Sequence, residues 1–136
     1  MTARQYLSRG YTATEKITEL QKQIARLGDE MTRLSSAVTD GSKVQSTPPK
    51  DPMGDRVVEI VDKITVREIQ LARWEDVLFE VEDALNGLEC VTCSKVLHGR
   101  YVRGLTLEEV GAELGYSVHQ CRRYHTVGLA EIEIGA

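Results

Sequence analysis

The sequence predicts an all-α protein, with a long N-terminal helical hairpin or coiled coil followed by a C-terminal three-helix domain. Two long segments carry apolar residues at alternating steps of three and four, the spacing of a helix that packs along one stripe. Two capping-box motifs mark the starts of shorter helices near the C-terminus. Aromatic residues make up only 5% of the chain, which suits helices packed along stripes better than a large compact core.

The first long helix is predicted from about residue 13 to residue 38. Its apolar residues form an unbroken heptad pattern, with Ile, Met or Val at one seam position and Leu at the other. They are Ile17, Leu20, Ile24, Leu27, Met31, Leu34 and Val38. Ahead of this helix, residues 2–9 predict a short separate helix that Gly10 interrupts, because glycine disfavours a helix interior.

A flexible linker is predicted at residues 39–55, where all three prolines and several small polar residues fall. A second long helix follows from about residue 56 to residue 86, and Asn86-Gly87 provides its stop. Arg67 occupies one seam position, where it either sets the register of packing or extends its charged end into solvent. The apolar stripe consists of Val57, Ile60, Ile64, Leu71, Trp74, Leu78, Val81 and Leu85.

Two heptad-patterned helices joined by a long loop are typical of an antiparallel hairpin, or of a coiled coil shared between subunits. The combination of Ile at one seam position and Leu at the other favours parallel two-stranded coils. Periodicity leaves both arrangements open. We expect a homo-oligomer, with a dimer favoured.

The charge of the chain is unevenly distributed. The net charge is −4, and residues 1–94 hold 12 basic and 16 acidic side chains. Residues 95–125 hold five basic and three acidic side chains, a local net charge of +2, and all three histidines. Since the local sign at a binding face matters more than the average, the acidic total does not exclude a nucleic-acid partner.

The cysteine count and the hydropathy pattern predict a cytoplasmic protein with reduced thiols. Three cysteines is an odd number, and no secretory signal precedes the first polar helix. No apolar run approaches the roughly 20 residues of a membrane span, so no membrane association is expected.

The C-terminal domain is predicted at residues 88–136, after a hairpin region at residues 1–87. Its three helices are expected at residues 90–103, at 106–114, and from 117 to about 134. Thr106 with Glu109, and Ser117 with Gln120, have the spacing of capping boxes. The inward side chains expected on the first of the three helices are Val96, Leu97 and Tyr101.

The spacing of the last two helices is that of a helix-turn-helix. Val110 and Leu114 face inward, Gly111 allows the next helix to approach closely, and Gly115 supplies a left-handed turn residue. The inward stripe of the last helix is Cys121, Tyr124, Gly128, Leu129 and Ile132.

The outward face of that last helix carries the candidate DNA-binding residues. Arginine suits guanine, glutamine suits adenine, and histidine suits either a phosphate or a base. The recognition helix of such a motif enters the major groove of double-stranded DNA by its N-terminal residues, which is where this cluster lies. The cluster is His119, Gln120, Arg122, Arg123 and Thr126, and Arg100 with Arg103 are candidate phosphate clamps.

Residues 100–111 read RYVRGLTLEEVG and residues 114–117 read LGYS. This segment resembles the fourth region of sigma factors, which binds the −35 promoter element. The whole chain is similar to small phage and prophage proteins of Gram-positive bacteria, a group placed near the ArpU and RinA-type late-gene transcription regulators. The features that carry this resemblance are Tyr6-Leu7, Arg100-Tyr101, Gly115-Tyr116-Ser117 and His125.

The resemblance implies a phage-type regulator that binds promoter DNA in a bacterial host cell, with RNA polymerase as a further partner. Two departures from the sigma-factor pattern narrow the expected function. Gly111 stands where sigma-like domains usually have Ala, at a cost in helix propensity of ~1 kcal/mol. The core-binding regions of a complete sigma factor are not recognisable, so an accessory regulator is expected.

Two other functions remain open: a DNA-packaging initiation factor like a small terminase subunit, and a module that binds RNA polymerase or a sigma factor. In small terminases the DNA-binding domain usually precedes the oligomerisation region, whereas here it follows. The acidic residues between 75 and 83 are typical of a solvated helix face, with repulsion of DNA or contact with polymerase as the alternatives.

No enzymatic activity, cofactor or metal is expected. Cys90, Cys93, Cys121 and His125 are zinc-ligand residue types, but Cys93 and Cys121 are too far apart for a zinc finger and small-residue packing is favoured. No histidine has a Ser or Cys at a spacing that indicates catalysis. His125 is expected to pack against Tyr101, with phosphate contact as the alternative.

Overall fold

A computed structural model describes residues 1–41 and 52–135, and these residues form five α-helices and no strand. The all-α prediction is confirmed for this part of the chain. The helices are α1 (Ala3–Gly41), α2 (Pro52–Asn86), α3 (Val91–Tyr101), α4 (Leu107–Leu114) and α5 (Val118–Gly135).

Helix α1 runs without a break through Gly10, so the predicted interruption there is wrong. Gly10 is buried, and a Cβ at this position would lie 3.0 Å from Val81 Cγ1 and 3.2 Å from the carbonyl oxygen of Tyr101. Tertiary packing at this close approach therefore outweighs the helix-propensity cost of glycine, which is about 1 kcal/mol. The helix begins far earlier than residue 13 because Thr2 and Gln5 form a capping box, with reciprocal bonds of 3.1 and 2.9 Å.

Helix α2 begins at Pro52, four residues before the predicted start at residue 56, and ends at Asn86 as predicted. Proline suits the first position of a helix because its missing N–H has no partner there. Most of the predicted linker, residues 42–51, lies outside the described residues, and the described residues at its two ends are helical.

The chain groups into two compact units. Unit 1 consists of residues 1–17 and 73–136, and unit 2 of residues 18–72. The functional boundary predicted between residues 87 and 88 stays a prediction, because compactness does not say which piece binds a partner.

Unit 1 has two apolar clusters, both of which include residues of α3. The first joins residues from the start of α1 and the end of α2 to α3, and consists of Leu7, Val81, Leu85, Leu97, Tyr101 and Val102. The second joins α3 to α4 and α5 and consists of Val96, Val110 and Cys121. Helix α3 is therefore the element that positions α4 and α5, and its predicted inward residues are all buried.

Unit 2 contains the later part of α1 beside the first part of α2. Arg67 Nε donates to Gln23 Oε1 at 3.0 Å, and Arg56 forms an ion pair with Glu30. Gln23 pairs with Arg67, whereas Glu30, later on α1, pairs with Arg56, earlier on α2. The two segments are therefore antiparallel. Arg67 also donates to the carbonyl oxygen of Lys63 on its own helix at 3.2 Å, so this half-buried seam arginine has partners on both helices.

No helix in the described part of the chain is both long enough and apolar enough to cross a membrane.

Candidate nucleic-acid interface

Helix α4 begins at the capping box that its sequence predicts. The amide of Glu109 donates to Thr106 Oγ1 at 3.2 Å, and the amide of Thr106 donates to Glu109 Oε1 at 3.0 Å. The bond from the Thr106 amide, with a further contribution from the Thr106 side chain, lowers the pKa of the Glu109 carboxyl because it stabilises the charged form. The helix ends at Gly115, whose φ of 80° is left-handed and whose amide donates to the carbonyl oxygen of Gly111 at 2.8 Å.

A second capping box opens α5, also as predicted. The backbone amide of Gln120 donates to Ser117 Oγ at 3.1 Å, and the backbone amide of Ser117 donates to Gln120 Oε1 at 3.0 Å. The side-chain oxygen of Gln120 is therefore engaged in the cap. The Nε2 group of Gln120 is the part of this side chain that a ligand can use.

Gly111 lets α4 and α5 approach each other, as the sequence predicts. A Cβ at this position would lie 2.5 Å from the carbonyl oxygen of Tyr116 and 3.3 Å from Cys121 Sγ. The first distance is shorter than real Cβ contacts, so any side chain here requires the turn to move. Gly111 thus has a packing reason to be glycine.

An exposed polar row covers one face of α5, and we call it the α5 row. Opposite it, Cys121 and Gly128 are buried and Tyr124 is half-buried, as predicted for the inward stripe. Neither Arg122 nor Arg123 forms an ion pair with a described residue. The α5 row consists of His119, Gln120, Arg122, Arg123 and Thr126, all exposed.

The two candidate phosphate clamps, Arg100 and Arg103, differ in their surroundings. Arg103 forms a bidentate pair with Glu113 at 2.5 and 2.8 Å, which raises the pKa of Arg103 and lowers that of Glu113. Arg100 is exposed and lies over the ring of Tyr101, with 5.7 Å between its guanidinium carbon and the ring centroid. Arg100 forms no ion pair with the described residues, so it is the freer of the two cations.

His125 packs on Tyr101, as expected. The tyrosine hydroxyl and His125 Nε2 are 2.7 Å apart, and the two rings stack with centroids 5.5 Å apart. Burial lowers the pKa of His125, and the nearby charges of Arg4 and Arg100 lower it further. The lowered pKa favours the neutral form of the ring beside the two arginines.

Cys90 and Cys93 form a disulfide, so the expectation of reduced thiols is wrong for these two residues. Their Cα atoms are 5.2 Å apart, because Cys90 caps α3 and Cys93 lies in its first turn. Cys121 is a free, buried thiol whose pKa is raised by burial. Within the described residues, no group of three or more His, Cys, Asp or Glu side chains is placed to hold a metal ion.

Sequence reasoning missed the N-terminal contribution to this region. Arg4 and Tyr11, both on α1, line a cleft with Arg100, Tyr101 and His125. The Thr2–Gln5 capping box is the signal that would have extended α1 to these residues, but nothing in the sequence indicates that they meet α3 and α5.

No protein-family model, curated protein or solved structure matches this chain.

Proposed function

We propose that this chain is a sequence-specific DNA-binding transcriptional regulator of phage or prophage type. In this proposal α4, its turn and α5 form the helix-turn-helix, and α5 is the recognition helix. The observation that carries the proposal is the α5 row, an exposed set of hydrogen-bonding side chains opposite a buried face. A recognition helix places its N-terminal residues in the major groove, and the row begins at the second residue of α5.

The side chains of the α5 row differ in what they can bind. Arg122 and Arg123 offer guanidinium groups that suit the paired acceptors of guanine. A bidentate contact from Gln120 to adenine needs both its oxygen and its nitrogen, but the oxygen is engaged with Ser117. Gln120 is therefore proposed to act as a donor only, towards a base acceptor or a phosphate.

The affinity of one such face for DNA is expected to be modest. The local net charge of residues 95–125 is only +2, and phosphate neutralisation dominates non-specific affinity. The proposal therefore includes a second copy of the chain, as a dimer on two half-sites, and RNA polymerase as a further partner. In this proposal the regulator acts in the cytoplasm of a bacterial host and activates late phage genes.

The test begins with selection of bound sequences from a random DNA library by the purified wild-type chain. We expect an enriched motif with two half-sites about 10 base pairs apart, the spacing of a dimer on one face of the duplex. The double variant Arg122→Ala/Arg123→Ala should then lose at least about a hundredfold in affinity for the selected site in a mobility-shift assay. Its helical circular dichroism should stay unchanged.

The matched control is Arg26→Ala/Arg33→Ala on α1, which also removes two exposed arginines without ion pairs to described residues. It should keep most of the affinity. Equal losses of DNA affinity in the two variants would show that the α5 row acts only through its general charge. Unchanged affinity in the first variant would refute α5 as the recognition helix. A single half-site in the selected motif would refute the dimer.

A further inference from the structure

An open cleft of about 470 Å³ lies in unit 1, where the N-terminal turns of α1 meet the end of α3 and the side of α5. Three of the side chains that line it, Arg4, Arg100 and His125, come from these three different helices. The residues that line it in the described part of the chain include no aspartate or glutamate. We call it the cationic cleft.

The two arginines of the cationic cleft are not neutralised locally. Arg4 and Arg100 are exposed and form no ion pair with any residue that the structure describes. Other arginines of unit 1 are paired, Arg9 with Glu80 at 3.2 Å and Arg103 with Glu113. Within unit 1, the arginines without an ion pair to a described residue therefore include the two of the cleft and the two of the α5 row.

The donors available to a ligand in the cleft can be identified. Ser8 and Thr12 line the wall, but their hydroxyls donate to the carbonyl oxygens of Arg4 and Ser8 at 2.7 and 3.5 Å. Tyr11 also lines the cleft, and its hydroxyl is engaged with the Glu15 side chain. The guanidinium groups of Arg4 and Arg100 remain, beside His125 of α5, whose ring stacks on Tyr101 of α3. Burial lowers the pKa of His125, and the charges of Arg4 and Arg100 lower it further.

The cleft continues the α5 row on one side. His125 follows Arg122 by three residues on α5, and residues three apart are neighbours on a helix surface. The cleft therefore adjoins the surface on which the proposed function places a DNA duplex.

We propose that the cationic cleft binds a phosphate group, and that this group is a backbone phosphate of the DNA held by α5. Two guanidinium groups from separate helices offer fork-shaped donor sets that match phosphate oxygens. The claim that the phosphate belongs to DNA rests on the function proposed above. The affinity of the cleft for a phosphate group does not. The cleft thus adds Arg4, at the N-terminal end of the chain, to the DNA-contacting residues.

The first test measures DNA affinity across a series of salt concentrations for Arg4→Gln/Arg100→Gln. Removal of two phosphate contacts should reduce the slope of log affinity against log salt by about two. It should weaken binding by about ten- to a hundredfold at low salt, equally for selected and unselected DNA. Arg4→Lys/Arg100→Lys should recover part of the loss, and Arg26→Gln/Arg33→Gln is the charge-matched control. Wild-type binding with an unchanged slope in the glutamine variant would overturn the proposal while the proposed function stands.

The second test does not depend on DNA binding. The imidazole signals of His125 are followed by NMR while inorganic phosphate, and separately duplex DNA, is added. Both should shift these signals in the wild type and neither should shift them in Arg4→Gln/Arg100→Gln. A shift with inorganic phosphate in a chain that binds no DNA would support the oxyanion site and overturn its DNA source. No shift with either addition would overturn the cleft as a phosphate site.

Discussion

Units 1 and 2 use the same kind of helix in different ways. Both contain parts of α1 and α2, and the α2 part of each carries apolar residues at heptad spacing. Among the described residues of unit 2, Ile60 is the one large side chain that is fully buried, and Leu20 keeps 8% of its surface exposed. In unit 1 the large fully buried side chains are Leu7, Val81, Leu85, Cys93, Val96, Leu97, Val110 and Cys121.

The difference shows how little a heptad pattern says about burial. Two antiparallel helices cover one stripe of each other and leave its edges open to water. In unit 1, α3 and the start of α1 cover the stripe of α2 and turn it into the floor of a core, where Val81 and Leu85 pack with Leu97. Since hydrophobic stabilisation scales with the apolar area removed from water, we expect unit 1 to be the more stable of the two.

The largest expected effect comes from replacing one leucine of α1 by alanine in each unit. Leu7 is fully buried in unit 1, and Leu27 is half-buried in unit 2. Leu7→Ala should lower the free energy of unfolding by about 2–5 kcal/mol because it leaves a cavity, whereas Leu27→Ala should cost about 1 kcal/mol. Urea denaturation followed by Trp74 fluorescence and by circular dichroism measures both. Equal losses would show that the two units are packed equally well.

A pair of glycine substitutions should differ in sign between the units. Gly111→Ala in unit 1 puts a Cβ 2.5 Å from the carbonyl oxygen of Tyr116, and should destabilise the fold by about 1–3 kcal/mol. Gly28→Ala in unit 2 meets no atom within 4 Å, and should stabilise α1 by about 0.5–1 kcal/mol. Thermal melting of each variant gives the sign. A stabilised Gly111→Ala variant would show that the α4–α5 turn yields at little cost.

The smallest expected effect is a difference in acid sensitivity. The folded-state pKa of His125, in unit 1, is lowered from 6.5, so its contribution to stability is present above that value and is lost as pH falls through the lowered pKa. The pKa of Glu59, in unit 2, is lowered from 4.5 by Arg56 and Lys63, so its contribution is lost only in stronger acid.

Hydrogen exchange of peptides from the two units, measured between about pH 7.5 and about pH 5, should therefore show protection falling in unit 1 first, after correction for the intrinsic exchange rate. His125→Gln should flatten this pH dependence in unit 1 and leave unit 2 unaffected. An equal fall in both units of the wild type would contradict the role assigned to His125.

Much of the local structure could be predicted from the sequence, because local bonds decide it. The capping boxes at Thr106 and Ser117 and the left-handed Gly115 depend on residues within one or two turns of each other. The exposure of the α5 row also followed from helical periodicity alone. The break predicted at Gly10 failed because glycine was judged by its propensity, whereas its neighbours there are Val81 and Tyr101, far along the chain.

Apart from the continuity of α1 through Gly10 and the helical residues at the ends of the predicted linker, the sequence by itself determined which segments are helical, which face of each is apolar, and which side chains of α5 remain exposed. These properties follow from helix periodicity and from hydrogen bonds between near neighbours. Only the tertiary structure decided that Arg4 and Arg100 share a cleft and that Arg103 is paired with Glu113. Such contacts join separate helices, and their geometry depends on how whole faces pack, which no local pattern encodes.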